Sequence, residues 1–199
     1  MRRHTTWAVA ALLGLAPATI AAKTAAESLT MQPQSRLWFD GTSTVRKWSC
    51  SAPAFDVDVQ SAPGGIPGVL SALRVVQSAT VRVPAAKLEC GNGTMNDHMK
   101  KALQVGAHPT IEFRMTGYEV TKGGSGVEGT LNGTLVIAGQ PRPISIPAEA
   151  RGDAGGTLRV TGATEVDMTQ HGVKPPTLMM GTLKTGPKVT VRFDLAFKG

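Results

Sequence analysis

The sequence predicts an all-β protein: one closed barrel of eight antiparallel strands with one short helix laid against it. Three observations carry this reading. Apolar and polar residues alternate through most of the chain. In 188–198, Val189, Val191, Phe193, Leu195 and Phe197 take one parity, while Lys188, Thr190, Arg192, Asp194 and Lys198 take the other. Successive strand side chains point to opposite faces, so such a segment has one buried and one wet face. Turn formers are abundant, with 23 glycines and 13 prolines among 199 residues, which suits short strands joined by reversals. The same parity recurs from segment to segment, so a meander that closes on itself buries every apolar face and leaves no edge.

The first 22 residues stand apart. Arg2 and Arg3 precede an apolar run over 7–15, and small residues follow through Ala22. This is the pattern of a secretory signal peptide over 1–22, cleaved after Ala21 or Ala22. The run is shorter than the roughly 20 residues a bilayer span needs. The expectation is an exported protein without stable membrane insertion. Residues 23–35 are polar and irregular and read as a flexible lead-in, leaving 36–199 as one domain. The net charge is +7, but the positive residues are scattered among acids and aromatics are few, which argues against a nucleic-acid surface. Cys50 and Cys90 are the only two cysteines. In an oxidising compartment an isolated pair favours a disulfide, and the wide spacing matches neither a C-x-x-C redox couple nor a usual thiolate metal site. Closing a loop of that length contributes on the order of 3–4 kcal/mol on the chain-entropy account.

Strands are expected at 36–48, 52–60, 69–83, 110–121, 127–138, 143–150, 157–167 and 187–198. Pro63-Gly64-Gly65, Gly123-Gly124-Ser125-Gly126, Gly139-Gln140-Pro141-Arg142 and the Gly/Asp-rich run over 152–156 supply chain reversals. Asn132-Gly133 has hairpin chemistry, yet apolar parity carries through it, so 127–138 reads as one bent strand. The helix covers 95–105, capped by Asn92 or Thr94, with Met95, Met99, Ala102 and Leu103 on one face and Gly106 at its end. Pro175-Pro176 keeps 168–186 irregular.

Strand parity places Leu73, Val75, Ala79, Val81 and Val83, then Ile111, Phe113 and Met115, then Val127, Leu131, Leu135 and Ile137 on the inner face. Ile144, Ile146, Leu158, Val160 and Val166 continue it. Gly41, Ser43, Ala79, Gly117, Gly129, Gly133 and Gly162 share that parity. Small residues there either leave room for a ligand in a barrel of this width or only let strands bend. Phe39, Trp48, Phe113, Met115, Leu135, Ile137, Phe193 and Phe197 are the candidate ligand-binding residues of the lumen. No catalytic residues stand out: His98, His108 and His171 accompany no G-x-S-x-G elbow, and Asp56 and Asp58 fall on the outer face, so neither a hydrolase triad nor a glycosidase pair is indicated. Met95, His98, Met99 and His171 form a soft donor set that suits Cu(I), a lower-ranked alternative to packing by the methionines.

Several motifs, in order, resemble one family. Gly41-Thr-Ser-Thr-Val-Arg-Lys-Trp48 resembles a G-x-S-x-x-x-x-W opening. The helix Met95-Asn-Asp-His-Met-Lys-Lys-Ala-Leu103 followed by His108-Pro-Thr-Ile-Glu-Phe113 resembles a helix and a P-x-I-x-F strand, and Gly133-Thr-Leu-Val-Ile-Ala-Gly139 a G-x-L-x-I-x-G strand. Together they are similar to the YceI-like family of lipocalin-like, polyisoprenoid-binding proteins. The resemblance implies a periplasmic, lipocalin-like barrel that binds or transports a long isoprenoid lipid or quinone without enzymatic chemistry or a cofactor. It also makes a homodimer an assembly to test. The competing class is an envelope stress-response or protein-interaction module whose barrel is filled by its own side chains.

Overall fold

The computed structural model describes residues 26–124, 126–153, 155–178 and 182–199; the expected signal peptide over 1–22 lies outside them. The strands are β1 (Glu27–Met31), β2 (Arg36–Ser43), β3 (Lys47–Ser51), β4 (Asp56–Ser61), β5 (Val76–Pro84), β6 (Thr110–Lys122), β7 (Val127–Ile137), β8 (Gln140–Gly152), β9 (Leu158–Asp167), β10 (Thr177–Leu178) and β11 (Leu183–Lys198). Two α-helices interrupt them, α1 (Gly65–Leu70) and α2 (Gly93–Ala102). All strand pairings are antiparallel, and they run β1-β4-β5-β6-β7-β8-β9-β11 before returning to β1. The result is a closed eight-stranded barrel.

Two of its staves are broken. β1 and β2 lie end to end along the same edge of β11, from Thr30↔Lys198 to Thr185↔Ser43. The irregularity between them is patched by Ser35, whose hydroxyl accepts from the Ala196 amide at 3.0 Å, so the kink leaves no orphan donor. β3 and β4 form the neighbouring stave, pairing with β2 and β1 respectively. This corrects two expectations. The lead-in over 23–35 contains β1, which closes one end of the barrel. The segment 36–48 is a strand, a tight reversal at Thr44-Val45-Arg46 and the start of the next strand. β1 was hard to see because only Leu29 and Met31 alternate within it, too few for a periodic signal.

Other differences have equally local causes. The segment 69–83 begins in α1, whose Ile66, Val69 and Leu70 pack on the core; their apolar, branched character reads as strand. Leu73 is exposed after that helix. A register shift between Met115 and Gly117 in β6 reverses parity. Tyr118 and Val120 therefore face inward, and Gly117 does not belong to the inner set. α2 ends at Ala102, with Gln104 in a left-handed conformation (φ 53). Asn92 caps its start, accepting from the Met95 amide at 3.0 Å. β7 is one strand through Asn132-Gly133, and Ala138-Gly139, both with positive φ, makes the reversal into β8.

β8 carries Pro141, Pro143 and Pro147 while pairing with β7 from Gln140 to Ala150. The three sit at odd positions, so their missing N–H groups share the edge turned away from β7. Accordingly β8 pairs with β9 only from Ala148 to Gly152. The remaining seam is stitched by side chains: Arg142 Nε donates to the Gln170 carbonyl at 2.8 Å, and His171 Nδ1 lies 2.9 Å from the Gln140 carbonyl oxygen. On the outer face of β11, Asp194 is nearly buried and accepts from Arg159 Nε at 2.6 Å, with Arg36 at 3.5 Å. The Arg159 hydrogen bond holds its carboxyl below the usual carboxylate range, and Arg36 adds to the effect.

Candidate functional site

The barrel encloses two cavities. The upper one, about 700 Å³, lies beneath α2 between the ends of β2, β3, β9 and β11. The lower one, about 220 Å³, occupies the other half, with Val69 of α1 in its wall. Leu37, Val83, Ile111 and Val191 line both, so these four side chains stand at the boundary between them.

The lower chamber is greasy. Leu29, Val59, Val127, Ala150, Leu158, Leu195 and Phe197 form its buried wall, with Phe197 only 4% exposed. Glu119, Glu128 and Glu149 border it from strand positions exposed on the outside. Its inward polar group, the Tyr118 hydroxyl, is already used, accepting from the Val76 amide at 2.9 Å. Burial raises the Tyr118 pKa, which keeps the hydroxyl neutral.

The upper chamber is apolar with a polar trim. Phe39, Ile137, Leu88, Met95 and Met99 share its wall with Ser43, Arg46, Trp48, Asn92, Thr94, His98 and Thr185. No residue of its roof, α2, is fully buried. That roof is fastened at its start. Cys50 and Cys90 form a disulfide, and Asn96 Oδ1 accepts from the Cys90 amide at 2.7 Å. Met99 Sδ lies 3.7 Å from Cys90 Sγ, a sulfur–sulfur packing contact. Ser51 and Glu89 exchange backbone hydrogen bonds of 2.7 and 2.9 Å, tying the same segment to β3.

Two polar atoms of this chamber's side chains are shut off from solvent and have no hydrogen-bond partner among the described residues: Trp48 Nε1 and His98 Nδ1. An orphaned buried donor or acceptor costs about 1–3 kcal/mol. At the mouth, Val45 is 69% exposed on the β2–β3 reversal beside Arg46.

Of the eight lumen candidates, Phe39, Trp48 and Ile137 line the upper chamber and Phe113, Met115, Phe193 and Phe197 the lower. Leu135 is half-buried opposite Phe113 and Arg142 and lines neither. Three of the small inward residues prove to be beds for rings. A Cβ added at Gly41, Gly133 or Gly162 would overlap the rings of Trp48, Phe113 and Phe193 respectively. The aromatics therefore lie flat on the wall instead of crossing the axis, and Phe39 meets Trp48 edge-on with centroids 6.1 Å apart.

The soft donor set is divided. Met95, His98 and Met99 line the upper chamber, whereas His171 is buried in the β8–β9 seam against Gln140 and lines neither chamber. Met179 and Met180 lie outside the described residues. Among the described residues, no group of three or more His, Cys, Asp or Glu side chains is placed to hold a metal ion, and no helix is long and apolar enough to cross a membrane. Sequence reasoning missed His98 as a lumen residue. Its signal was the i, i+3, i+4, i+7 set of Met95, His98, Met99 and Ala102, which shares one helix face.

Comparison with known proteins agrees with this architecture. A solved structure of Burkholderia cenocepacia BcnA superposes with a TM-score of 0.64 at 15% identity, covering 82% of this chain and 96% of that one. A polyisoprenoid binding domain from Saccharophagus degradans, implicated in plant cell wall breakdown, gives 0.61 at 12% identity over 86% and 97%. The Campylobacter jejuni YceI protein gives 0.58 at 16% identity over 75% and 84%. At these identities the likeness is one of fold. No curated protein matches the chain in sequence. The model of the YceI-like domain matches residues 34–197, nearly the whole described barrel, and the chain belongs to that family.

Proposed function

We propose that the protein binds one long apolar amphiphile, a polyisoprenoid or quinone-like lipid, non-covalently inside the barrel and carries it through the periplasm without converting it chemically. The observation that carries this reading is the pair of apolar chambers that meet at Leu37, Val83, Ile111 and Val191. A linear molecule can thread both, and the upper volume falls within the range of ordinary small-molecule sites. Burial of its tail supplies about 25 cal/mol per Å² before association costs. The Saccharophagus relative, described as a polyisoprenoid binding domain, supports the same ligand class. An upper chamber of about 700 Å³ runs against a barrel filled by its own side chains.

The test is uptake of a polyprenyl lipid by the mature protein and by Phe113→Asp, which puts a charge into the lower chamber. The wild type is expected to retain one lipid per chain and the variant to lose it. A folded Phe113→Asp protein that binds the same lipid equally well contradicts the reading. A circular dichroism spectrum separates loss of binding from loss of fold.

A further inference from the structure

We infer that one end of the barrel docks, peripherally and reversibly, on an anionic lipid bilayer, through exposed Val45 and the cations Arg46, Lys47, Lys174 and Lys184. The docking surface lies outside the lumen and goes beyond ligand binding. Three segments build it: the β2–β3 reversal at Thr44-Val45-Arg46, the stretch over 172–177 and the start of β11. Hydrogen bonds hold them side by side. The Thr44 amide donates to the Lys184 carbonyl at 3.0 Å and the Thr44 hydroxyl to the Thr182 carbonyl at 3.1 Å. The Thr185 amide donates to the Pro176 carbonyl at 3.0 Å, and Thr177 pairs with Lys184. Val45, Val173, Pro176 and Leu183 also line the upper chamber, so the cluster borders that cavity.

The charge of this rim is one-sided. Residues 41–48, 172–178 and 182–188 contain Arg46, Lys47, Lys174, Lys184 and Lys188 and no Asp or Glu. Lys188 is paired with Glu165 at 2.7 Å. The other four are exposed and form no ion pair among the described residues. Arginines elsewhere on the barrel are engaged: Arg82 and Arg114 with Glu112, Arg151 with Glu149, Arg192 with Asp40. Clustered free cations attract an anionic membrane, by on the order of fivefold in affinity for each residue near its surface. Val45 favours a bilayer over a soluble polyanion. Its side chain is 69% exposed on a reversal fixed by Ser43, whose amide and hydroxyl each donate to the Arg46 carbonyl at 2.9 Å. An apolar tip beside cations gains nothing from a hydrated polyanion, but it buries itself at the acyl boundary of a lipid layer. Leu73, also exposed, stands at the opposite end beside Arg74, which lies over the Tyr118 ring. One apolar residue and four cations make a weak, salt-sensitive attachment, not an anchor. Docked this way, the protein turns the upper cavity toward the lipid, which is where the lumen-binding reading above needs it.

The experiment is co-sedimentation of the mature protein with vesicles of phosphatidylcholine, alone or mixed with phosphatidylglycerol, at low and high salt. The wild type should bind the mixed vesicles about tenfold or more tightly than the neutral ones, and high salt should release it. Lys47→Glu with Lys184→Glu should lose about twentyfold or more, the share of two cations. Lys122→Glu with Arg151→Glu makes the same change in net charge at the other end of the barrel, next to Val127 and Ala150 of the lower wall, and should lose far less. Val45→Ser should weaken vesicle binding by about threefold or more and leave retention on a heparin column unchanged. Lys47 and Lys184 line neither chamber, so their variant should take up a polyprenyl lipid from detergent as the wild type does. Wild-type binding that ignores phosphatidylglycerol and salt overturns the inference without any variant having to fold. Equal losses from the two charge-reversed pairs overturn it, because net charge alone would then explain the binding. Vesicle binding unchanged in Val45→Ser also overturns it and assigns the rim to a soluble polyanion. A wild type that binds mixed vesicles but takes up no polyprenyl lipid upholds the docking and defeats the lumen reading alone.

Discussion

The two halves of the barrel are made from the same strands yet are built for different ends. The lower half packs Leu29, Val59, Val127, Leu158, Leu195 and Phe197 into a continuous buried wall and leaves about 220 Å³. The upper half leaves about 700 Å³ under a helix with no fully buried residue. In the lower half the one inward polar group is paired, and in the upper half two are not. Stability is concentrated where packing is dense, and ligand exchange belongs where few buried contacts must break. The lower half holds the larger buried cluster, and the upper half, with a smaller one of Ala52, Val83 and Leu88, leaves the larger cavity.

Truncating the same residue type in each half sharpens this contrast most. Phe197→Ala, in the lower wall, should cost about 3–5 kcal/mol in urea unfolding, the range for a buried phenylalanine. Phe39→Ala, in the upper wall, should cost less than half of that while speeding lipid release. Equal losses of stability would remove the distinction.

The disulfide comes next. Cys50→Ser with Cys90→Ser should destabilise the domain by about 2–4 kcal/mol, since it opens a loop spanning 40 residues. The loss should be uneven: amide exchange in α2 and around Glu89 should quicken far more than exchange in β11 near Phe197. Uniform acceleration would show that the bridge acts only on the unfolded chain.

Glycine substitutions reach the axis of the lumen. Gly133→Ala and Gly162→Ala drive a methyl group into the rings of Phe113 and Phe193, at about 1–3 kcal/mol each for an overpacked site. Both rings line the lower chamber, so the variants should favour shorter tails. An unchanged chain-length preference in lipid extracts would show that the tail does not pass these rings.

The smallest effect concerns pH and the Asp194 ion pairs on the outer face of β11. Asp194 has its carboxyl pKa lowered, chiefly by the Arg159 hydrogen bond. A carboxylate with a folded pKa below its unfolded value of about 3.9 contributes stability that is complete above that value. The contribution is lost as pH falls through the folded value. Denaturation midpoints should therefore decline below about pH 4, and Asp194→Asn should flatten that part of the profile while lowering stability at neutral pH. A variant with the same acid slope as the wild type would assign the decline to other carboxylates.

Most of the barrel was legible because alternation is a direct record of a two-faced strand. Six segments, from 69–83 to 187–198, each overlap a strand of the barrel, and the helix over 95–105 overlaps α2 at Gly93–Ala102. What escaped was set by interactions remote in sequence. β1 is a strand because β4 and β11 offer it edges on both sides, not because its own five residues insist. The parity reversal at Gly117 comes from a bulge against β7. The lumen was legible for seven of eight candidates, but not its division into two chambers, which depends on the boundary residues and on the roof pinned by Cys90. The glycines were ambiguous for a physical reason. Sequence shows a missing side chain, and only the folded chain shows whether a neighbouring ring lies over the space.

We propose that the two chambers together hold one long amphiphile. Native mass spectrometry of the mature protein purified from its own compartment, followed by solvent extraction, tests it most directly. The expected result is a single bound mass per chain that extracts as an isoprenoid lipid or quinone and that Phe113→Asp does not retain. A clean ligand-free mass that also refuses added prenyl lipid would contradict it.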